Sequence, residues 1–295
     1  MAFGEYPPPV HLLGDLGMEA EVTSESTARV RTRVTPFVTT VDGGVRSGVL
    51  ATLVDVVGGA IAARVLLPDW MATADLTMQL IGPVHGPWVE ARGALVRRGR
   101  TTLVIEAQVV CVDDDGGAST VDGRPAGPVA WASMTFSVMS SRNSSSPERS
   151  AADLPDRWSF AGGGLDRSVL DAVGIEVLDG RAGRLSVPVL PYVHNSFAAM
   201  QGGVIALVAE AAGAEALGAA RGLDGNAFVV TDLQIAYLAL GRIGPVVTSA
   251  RVLGTGPDGR AGAVVELRDA GAGDRLMTVV NVSGVPAAVL AGSTR

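Results

Sequence analysis

"GGVRSGVLATLVDVVGGAIAARVL", residues 43–66, and "NSFAAMQGGVIALVAEAAG", residues 195–213, decide the fold of this 295-residue chain. Each stretch is a loop that runs into an apolar helix, and the pattern predicts helices near 47–66 and 202–221. Both helices are apolar on most sides, so other elements must wrap them.

The two stretches are copies of one repeated unit. Gly48 lies 155 residues before Gly203, and Asp55 lies the same distance before Glu210. Other matched segments continue the repeat: Gly17-Met18-Glu19 with Gly174-Ile175-Glu176, Pro36-Phe37-Val38 with Pro191-Tyr192-Val193, and Asp75-Leu76 with Asp232-Leu233. The two acids therefore occupy equivalent positions on oily helices, where burying a carboxylate is costly.

Strand patterns surround each helix, with alternating apolar residues and turn sequences between them. The predicted strands lie at 27–36, 72–82, 87–99, 101–113 and 129–139, and at 183–191, 227–240, 245–254, 261–270 and 275–285. A buried helix followed by antiparallel strands is an α+β arrangement in which one sheet curls around one helix.

A stretch rich in Ser, Pro and charge separates the halves and has no periodicity, which is typical of a linker. We therefore expect a first unit at 1–138, a linker at 139–158 and a second unit at 159–295. Because each unit has one oily helix with an open side, we expect that neither is stable alone.

Composition argues against several classes of function. The formal net charge is −7, and no basic stripe is present, which disfavours nucleic-acid binding. The single cysteine excludes an intramolecular disulfide, and three scattered histidines do not form a metal site. The N-terminus lacks a signal-peptide pattern, and we expect that no apolar run is long enough and free enough of charge to span a bilayer. These observations predict a soluble cytoplasmic protein without a metal, a cofactor, or a nucleic-acid or membrane partner.

The loop and helix resemble those of the PaaI-like acyl-CoA thioesterases, which have the hotdog fold. In that family an Asn is followed six residues later by His-Gly-Gly, and the helix acid comes nine residues after the His. The second half has Asn195, Gln201, Gly202, Gly203 and Glu210 at those spacings. Gln201 stands where the family has His.

The first half has a good helix match and a poor loop match. Its residues at the family positions are Thr40, Arg46, Ser47, Gly48 and Asp55. The family also carries a Ser or Thr two residues before an Asp on the next strand, where this chain has Thr73 in the first half and Val230 in the second. The resemblance covers nearly the whole chain outside the first residues and the linker, and it implies a double hotdog: two tandem units, each a long apolar helix wrapped by a curved antiparallel sheet.

The resemblance also implies that each active site lies between two units, with the loop from one and the acid from the other. The first crossed site then contains Asn195, Gln201, Gly202, Gly203, Asp55 and Thr73. The second contains Thr40, Arg46, Ser47, Gly48, Glu210 and Val230. We expect one working site around Asp55 and one degenerate site in which Arg46 pairs with Glu210.

The residue types suit thioester hydrolysis. Asp55 is expected to act as general base or as nucleophile, and the glycines at the helix N-terminus to bind the developing negative charge. Thr73 would position water or the carboxylate, and Asn195 would orient the loop or bind the thioester. Plainer interpretations stay open: Asp55 as a solvent-facing acid, the glycines as a tight helix entry, and Thr73 as an ordinary strand residue.

Two other functions remain as alternatives. A hotdog enoyl-thioester hydratase or dehydratase pairs an Asp with a His, and neither helix has a His. A non-catalytic acyl-CoA sensor fits the replaced His and the degraded second site. The expected partners are acyl-CoA or another acyl-thioester and further copies of the chain, since the resemblance suggests a homo-oligomer. Arg97, Arg98 and Arg100 lie on a hairpin that either meets the phosphates of CoA or is a solvated turn.

Overall fold

The structure, a computed structural model, describes residues 7–82, 84, 86–121, 124–139 and 154–292. Within these residues the helices are α1 (Leu12–Asp15), α2 (Ser47–Leu66), α3 (Val169–Ala172), α4 (Gly202–Ala220) and α5 (Ala287–Gly292). The two long helices begin at the predicted residues, and they end within one residue of the predicted ends.

The strands of the first half are β1 (Glu19–Ser24), β2 (Thr27–Arg33), β3 (Trp70–Leu80), β4 (Trp88–Arg98), β5 (Thr102–Val112), β6 (Thr120–Val121), β7 (Arg124–Pro125) and β8 (Ala130–Met139). Those that follow are β9 (Arg157–Ser159), β10 (Glu176–Asp179), β11 (Arg184–Val187), β12 (Phe228–Tyr237), β13 (Val246–Thr255), β14 (Ala261–Asp269) and β15 (Arg275–Pro286).

One antiparallel sheet joins the two halves of the chain. Among the described strands its order is β10-β11-β13-β14-β15-β12-β3-β8-β5-β4-β2-β1-β9, while β6 and β7 form a separate pair. The halves meet where β12 pairs with β3, and the register is symmetric, with Asp232 opposite Gln79 and Ala236 opposite Asp75. The fold is therefore two similar α+β units related by a pseudo-twofold axis at this central strand pair.

The helices α2 and α4 pack directly against each other inside the sheet. A Cβ added at Gly48 would lie 2.3 Å from the Cα of Leu207, and one added at Gly203 would lie 2.5 Å from the Cα of Thr52. Both pairs are related by the 155-residue offset, so the contacts obey the same pseudo-symmetry. Glycine is required at both positions because the backbones approach too closely for any side chain.

The expectation that no apolar run is long enough to span a bilayer is wrong by length and composition. The helices α2 and α4, of 20 and 19 residues, are both long and apolar enough to do so. Most of each helix is buried inside the protein, against the sheet and against the other helix. Burial on most sides is a sufficient physical reason for their composition.

The predicted linker at 139–158 lies mostly outside the described residues, because 140–153 are not described. Its last two residues, Arg157 and Trp158, begin β9, which pairs with β1 at the edge of the first unit. The chain therefore extends the sheet of the first unit before it enters the second.

Candidate functional site

A cavity of about 350 Å³ opens between the two units beside Asp55, and we call it the Asp55 cavity. The first unit contributes α2, β3 and β8 to its wall, and the second contributes the loop before α4, the first turns of α4 and the end of β12. Five of the predicted site residues line it together: Asp55, Thr73, Asn195, Gln201 and Gly202.

Asp55 is held by one hydrogen bond from each unit. The hydroxyl of Thr73 donates to Oδ1 at 2.9 Å, and the backbone N–H of Gly203 donates to the same carboxyl group. A Cβ added at Gly202 would lie 3.0 Å from Oδ2, so glycine there lets the helix entry approach the acid. The carboxyl group thus faces the N-terminal end of α4, where unpaired N–H groups collect.

Burial raises the pKa of Asp55 to about 6, although the hydrogen bonds from Thr73 and Gly203 favour the charged form and oppose the rise. A carboxyl group with this pKa is still ionised for the most part at pH 7. It is also a stronger base than an exposed aspartate, which suits proton abstraction near neutral pH.

A β-bulge places Thr73 next to Asp55. The register of β3 against β8 shifts between Thr73 and Asp75, and such bulges re-aim side chains next to functional sites. The second unit has the matching shift in β12 between Val230 and Asp232. Val230 is buried and has no hydroxyl. The bulge therefore provides a hydrogen-bond donor for Asp55 but none for Glu210.

Asn195 fixes the loop that covers the cavity. Its Oδ1 accepts hydrogen bonds from the N–H groups of Phe197 at 2.9 Å and Ala199 at 3.2 Å, and its own N–H donates to the carbonyl of Ala199. Phe197 then packs on Trp70 of the first unit, with ring centroids 5.6 Å apart. Of the two predicted roles of Asn195, the geometry favours orientation of the loop.

Gln201 and Tyr237 complete the polar lining on the second unit. Gln201 is buried, and its Oε1 has no hydrogen-bond partner within the described protein. Tyr237, which the sequence reasoning missed, donates its hydroxyl to the carbonyl of Gly202 at 3.0 Å. Burial raises the pKa of Tyr237 well above 10, so it stays a neutral donor. The repeat contained a signal for Tyr237. Its equivalent in the first unit is Leu80, so only the second unit has a hydroxyl at this position.

The second predicted site is closed by an arginine. Arg46 Nη1 lies 3.3 Å from Glu210 Oε1, and its Nη2 donates to Asn226 Oδ1 at 3.2 Å. Gly48 donates its N–H to Glu210 Oε2 at 3.0 Å. Arg46 and Glu210 are 8% and 2% exposed, so the acid is paired and buried. Burial raises the pKa of Glu210, and the nearby Arg46 charge opposes the rise.

The other residues of the second site serve the local structure. Thr40 donates its hydroxyl to Asp42 and lies 3.0 Å from the carbonyl of Gly44, so it closes its own turn as Asn195 does. Ser47 Oγ is buried without a hydrogen-bond partner in the described protein. Asp55 and Glu210 are therefore equivalent in sequence but differ in their surroundings.

No metal site or histidine adjoins Asp55 in the described part of the chain. Over the described ranges, no three His, Cys, Asp or Glu side chains lie close enough together to hold a metal ion. The described lining of the Asp55 cavity also contains no histidine. The chemistry available there is that of a carboxyl group, four hydroxyl groups, two amide side chains and a helix N-terminus.

Comparison with known proteins finds one superfamily in both units. Residues 43–118 and 198–258 match the model of the thioesterase superfamily. Each unit of the chain therefore carries a match to the thioesterase superfamily. The first match covers the helix and the following strands of the first unit, and the second covers the corresponding part of the second unit. The match supports acyl-thioester hydrolysis as the activity of the chain.

Solved structures show the same architecture over the whole chain. The TesB protein of Mycobacterium avium subspecies paratuberculosis is 13% identical, with a TM-score of 0.59 over 90% of this chain and 95% of that one. An acyl-ACP thioesterase from Bacteroides thetaiotaomicron is 12% identical, with a TM-score of 0.54 over 89% and 100% of the two chains. The predicted α+β double hotdog is confirmed. No curated protein matches the sequence significantly.

Proposed function

We propose that this thioesterase-superfamily protein hydrolyses an acyl-CoA to a free acid and CoA, as the PaaI-like enzymes do, and that it does so in the Asp55 cavity. One observation carries the proposal: a carboxyl group with a raised pKa is held at a helix N-terminus and faces an open cavity between the units. The Glu210 position lacks this arrangement, because Arg46 fills it.

In the proposed reaction Asp55 acts as a general base. It takes a proton from a water molecule whose oxygen attacks the thioester carbonyl carbon. The C–S bond then breaks, the acyl group leaves as the free acid, and the departing thiolate takes the proton from Asp55. The pKa of about 6 supports this role near neutral pH. Thr73 and Gly203 keep the carboxylate oriented throughout.

The first turn of α4 would stabilise the oxyanion. The first N–H groups of a helix have no partner within the helix, and the helix dipole favours negative charge there. Gly203 uses its N–H on Asp55, so the N–H of Gly202 is the donor proposed for the carbonyl oxygen. One such donor typically contributes about 3 kcal/mol to the transition state. Tyr237 supports this turn through the carbonyl of Gly202.

An arginine-bearing turn near the cavity supports CoA as the leaving thiol. Arg97, Arg98 and Arg100 are exposed at the turn between β4 and β5. Thr102, which follows that turn, pairs with Ser137, a cavity residue on β8. Guanidinium groups bind phosphates well, so we propose that this turn binds the nucleotide end of CoA.

The test is whether the purified protein releases free CoA from acetyl-, octanoyl-, lauroyl- and benzoyl-CoA, with no added metal or nucleotide. We expect turnover of at least one substrate. Acyl carrier protein thioesters are assayed in parallel. They show whether the enzyme prefers CoA or the carrier protein as the leaving thiol. Binding of acyl-CoA without hydrolysis of any thioester would contradict the proposal and favour the sensor alternative.

A labelled-water experiment separates the two roles of Asp55. In single turnover with water that contains a heavy oxygen isotope, a general base directs the label only into the product acid. A nucleophilic Asp55 would form an anhydride, and attack of water on the aspartyl carbonyl of that anhydride would put label into the protein carboxyl group. The hydratase alternative has less support, since no histidine lies in the described lining.

We also propose that the chain self-associates. The strand β10 is an edge of the sheet, and its apolar residues Val177 and Leu178 are 53% and 47% exposed. Exposed apolar edges favour pairing with another chain. Light scattering at micromolar concentration should report a dimer or larger assembly, and a strict monomer would contradict this.

A further inference from the structure

Two adjacent glycines, Gly58 and Gly59, lie in the middle of α2. Glycine destabilises a helix interior relative to alanine, so each position calls for a physical reason. Gly58 has one, because an added Cβ would lie 2.6 Å from the Sδ of Met134 and 3.0 Å from Phe136. Gly58 is therefore a packing residue beneath the sheet.

Gly59 has no such reason within the protein. An added Cβ would meet no described atom within 4 Å, and the backbone is helical, without a positive φ. Neither packing nor conformation requires glycine here. The residue follows Asp55 by one helical turn, on the same face of α2, and it lines the Asp55 cavity.

The repeat offers an internal comparison. The residue equivalent to Gly59 in the second unit is Ala214, four residues after Glu210. Ala214 is buried in the hydrophobic core. The unit whose acid is enclosed by Arg46 thus carries a side chain at this position, and the unit whose acid faces a cavity does not.

We propose that Gly59 is the residue that admits the acyl group, and that the substrate class is thioesters of apolar acyl groups longer than acetyl. The acyl group would pass from the reacting carbonyl at Asp55 over the bare helix surface at Gly59. The cavity wall beyond is apolar and includes Met71, Phe136 and Ile205. This inference rests on the proposed hydrolysis at the Asp55 cavity.

The test is a graded series, Gly59→Ala and Gly59→Leu, assayed for kcat/KM on acetyl-, octanoyl-, lauroyl- and benzoyl-CoA. Gly59→Leu should lower kcat/KM on the three larger substrates by at least about 10-fold, the usual scale for losing pocket space. Acetyl-CoA, whose acyl group is too short to pass over Gly59, should lose a smaller factor in kcat/KM than the three larger substrates. For Gly59→Ala, kcat/KM on the larger substrates should lie between the values for wild type and Gly59→Leu. This variant should also unfold at a higher temperature than wild type, since alanine favours the helix.

Gly254→Leu is the matched control. Gly254 also has open space around an added Cβ, but it is exposed on β13 and outside the cavity lining. The control should leave the chain-length profile unchanged. If folded Gly59→Leu retains the wild-type profile, or loses acetyl-CoA turnover equally, the inference is overturned while the proposed function stands.

A binding measurement separates this inference from the proposed function. If wild type hydrolyses nothing, calorimetry with non-hydrolysable S-alkyl-CoA thioethers replaces the assay. Weaker binding of long alkyl groups in Gly59→Leu, with short ones unaffected, would support the role of Gly59 without catalysis. Equal binding in both proteins, or no binding by wild type, would overturn it.

Discussion

Asp55→Asn and Glu210→Gln should have unequal effects on turnover, although the two acids are equivalent in the repeat. Asp55→Asn keeps the shape of the side chain and its contacts with Thr73 and Gly203, but it removes the base. Turnover should fall by about 10²-fold or more, the usual scale for general-base catalysis. Glu210→Gln should leave turnover within a few-fold, because Arg46 already closes that site.

The stability of Asp55→Asn should rise, and the pKa gives the magnitude. A rise from 3.8 to about 6 means that the folded state holds the proton more tightly than the unfolded state. Wild-type stability from this group is therefore fully present below pH 3.8 and is lost as the pH rises through 6. About 2 pKa units at 1.36 kcal/mol each set an upper limit near 3 kcal/mol at pH 7. Asparagine avoids that cost, so the gain over wild type should vanish at acidic pH.

Thiol release measures the first effect, and urea unfolding at pH 7 and pH 4 measures the second. Both variants need native circular dichroism before their rates are compared. If Glu210→Gln abolished hydrolysis while Asp55→Asn retained it, the crossed assembly of the working site would be refuted. An Asp55→Asn protein that is inactive and also less stable at pH 7 would refute the argument from burial.

Three further outcomes follow from the geometry. Because Asp55 must be ionised to accept a proton, kcat/KM should fall as the pH drops through about 6; Thr73→Val should move this midpoint to higher pH, Thr73→Ser should not, and a flat profile would count against the base. Gly48→Ala should destabilise the protein by at least about 1–3 kcal/mol in urea unfolding, since its Cβ would overlap the Cα of Leu207; wild-type stability would show that the helices do not pack this closely. Either unit expressed alone should give a poorly dispersed NMR spectrum, and a stable, well-dispersed monomer would contradict the dependence of each helix on the other.

Local sequence patterns predicted most of the elements. The bounds of α2 and α4 followed from the extent of the two apolar runs and from glycine at the helix entry, and ten strands followed from alternation and turn chemistry. The edge strand β9 was missed because its residues, Arg157–Ser159, carry little apolar pattern and gain their partner only from β1. Apolar length was also misjudged, because a core helix that is buried on most sides has the composition of a membrane span.

The candidate site was predictable only where the repeat and the family resemblance exposed it. Comparison of the halves paired Asp55 with Glu210, and the resemblance to the PaaI-like thioesterases pointed to Thr73 and Asn195. The side chains that shape the cavity were not found, since Phe197 and Tyr237 act through contacts with distant parts of the chain. Whether an acid on an oily helix is enclosed or open depends on the partner loop, and Arg46 settles that for Glu210 through a contact 164 residues away.

Because the two units are joined in one chain, a substitution in one loop changes one site and leaves the other unchanged. In an assembly of identical single units, an arginine in the loop would enter every site and close them all. Here the loop of the first unit faces only Glu210, so Arg46 closes one site without touching the Asp55 cavity. The buried Arg46–Glu210 pair then links the two halves of the chain, while the Asp55 cavity stays open for the reaction. A tandem chain can thus have one structural site and one reactive site, which identical units in exact symmetry cannot have.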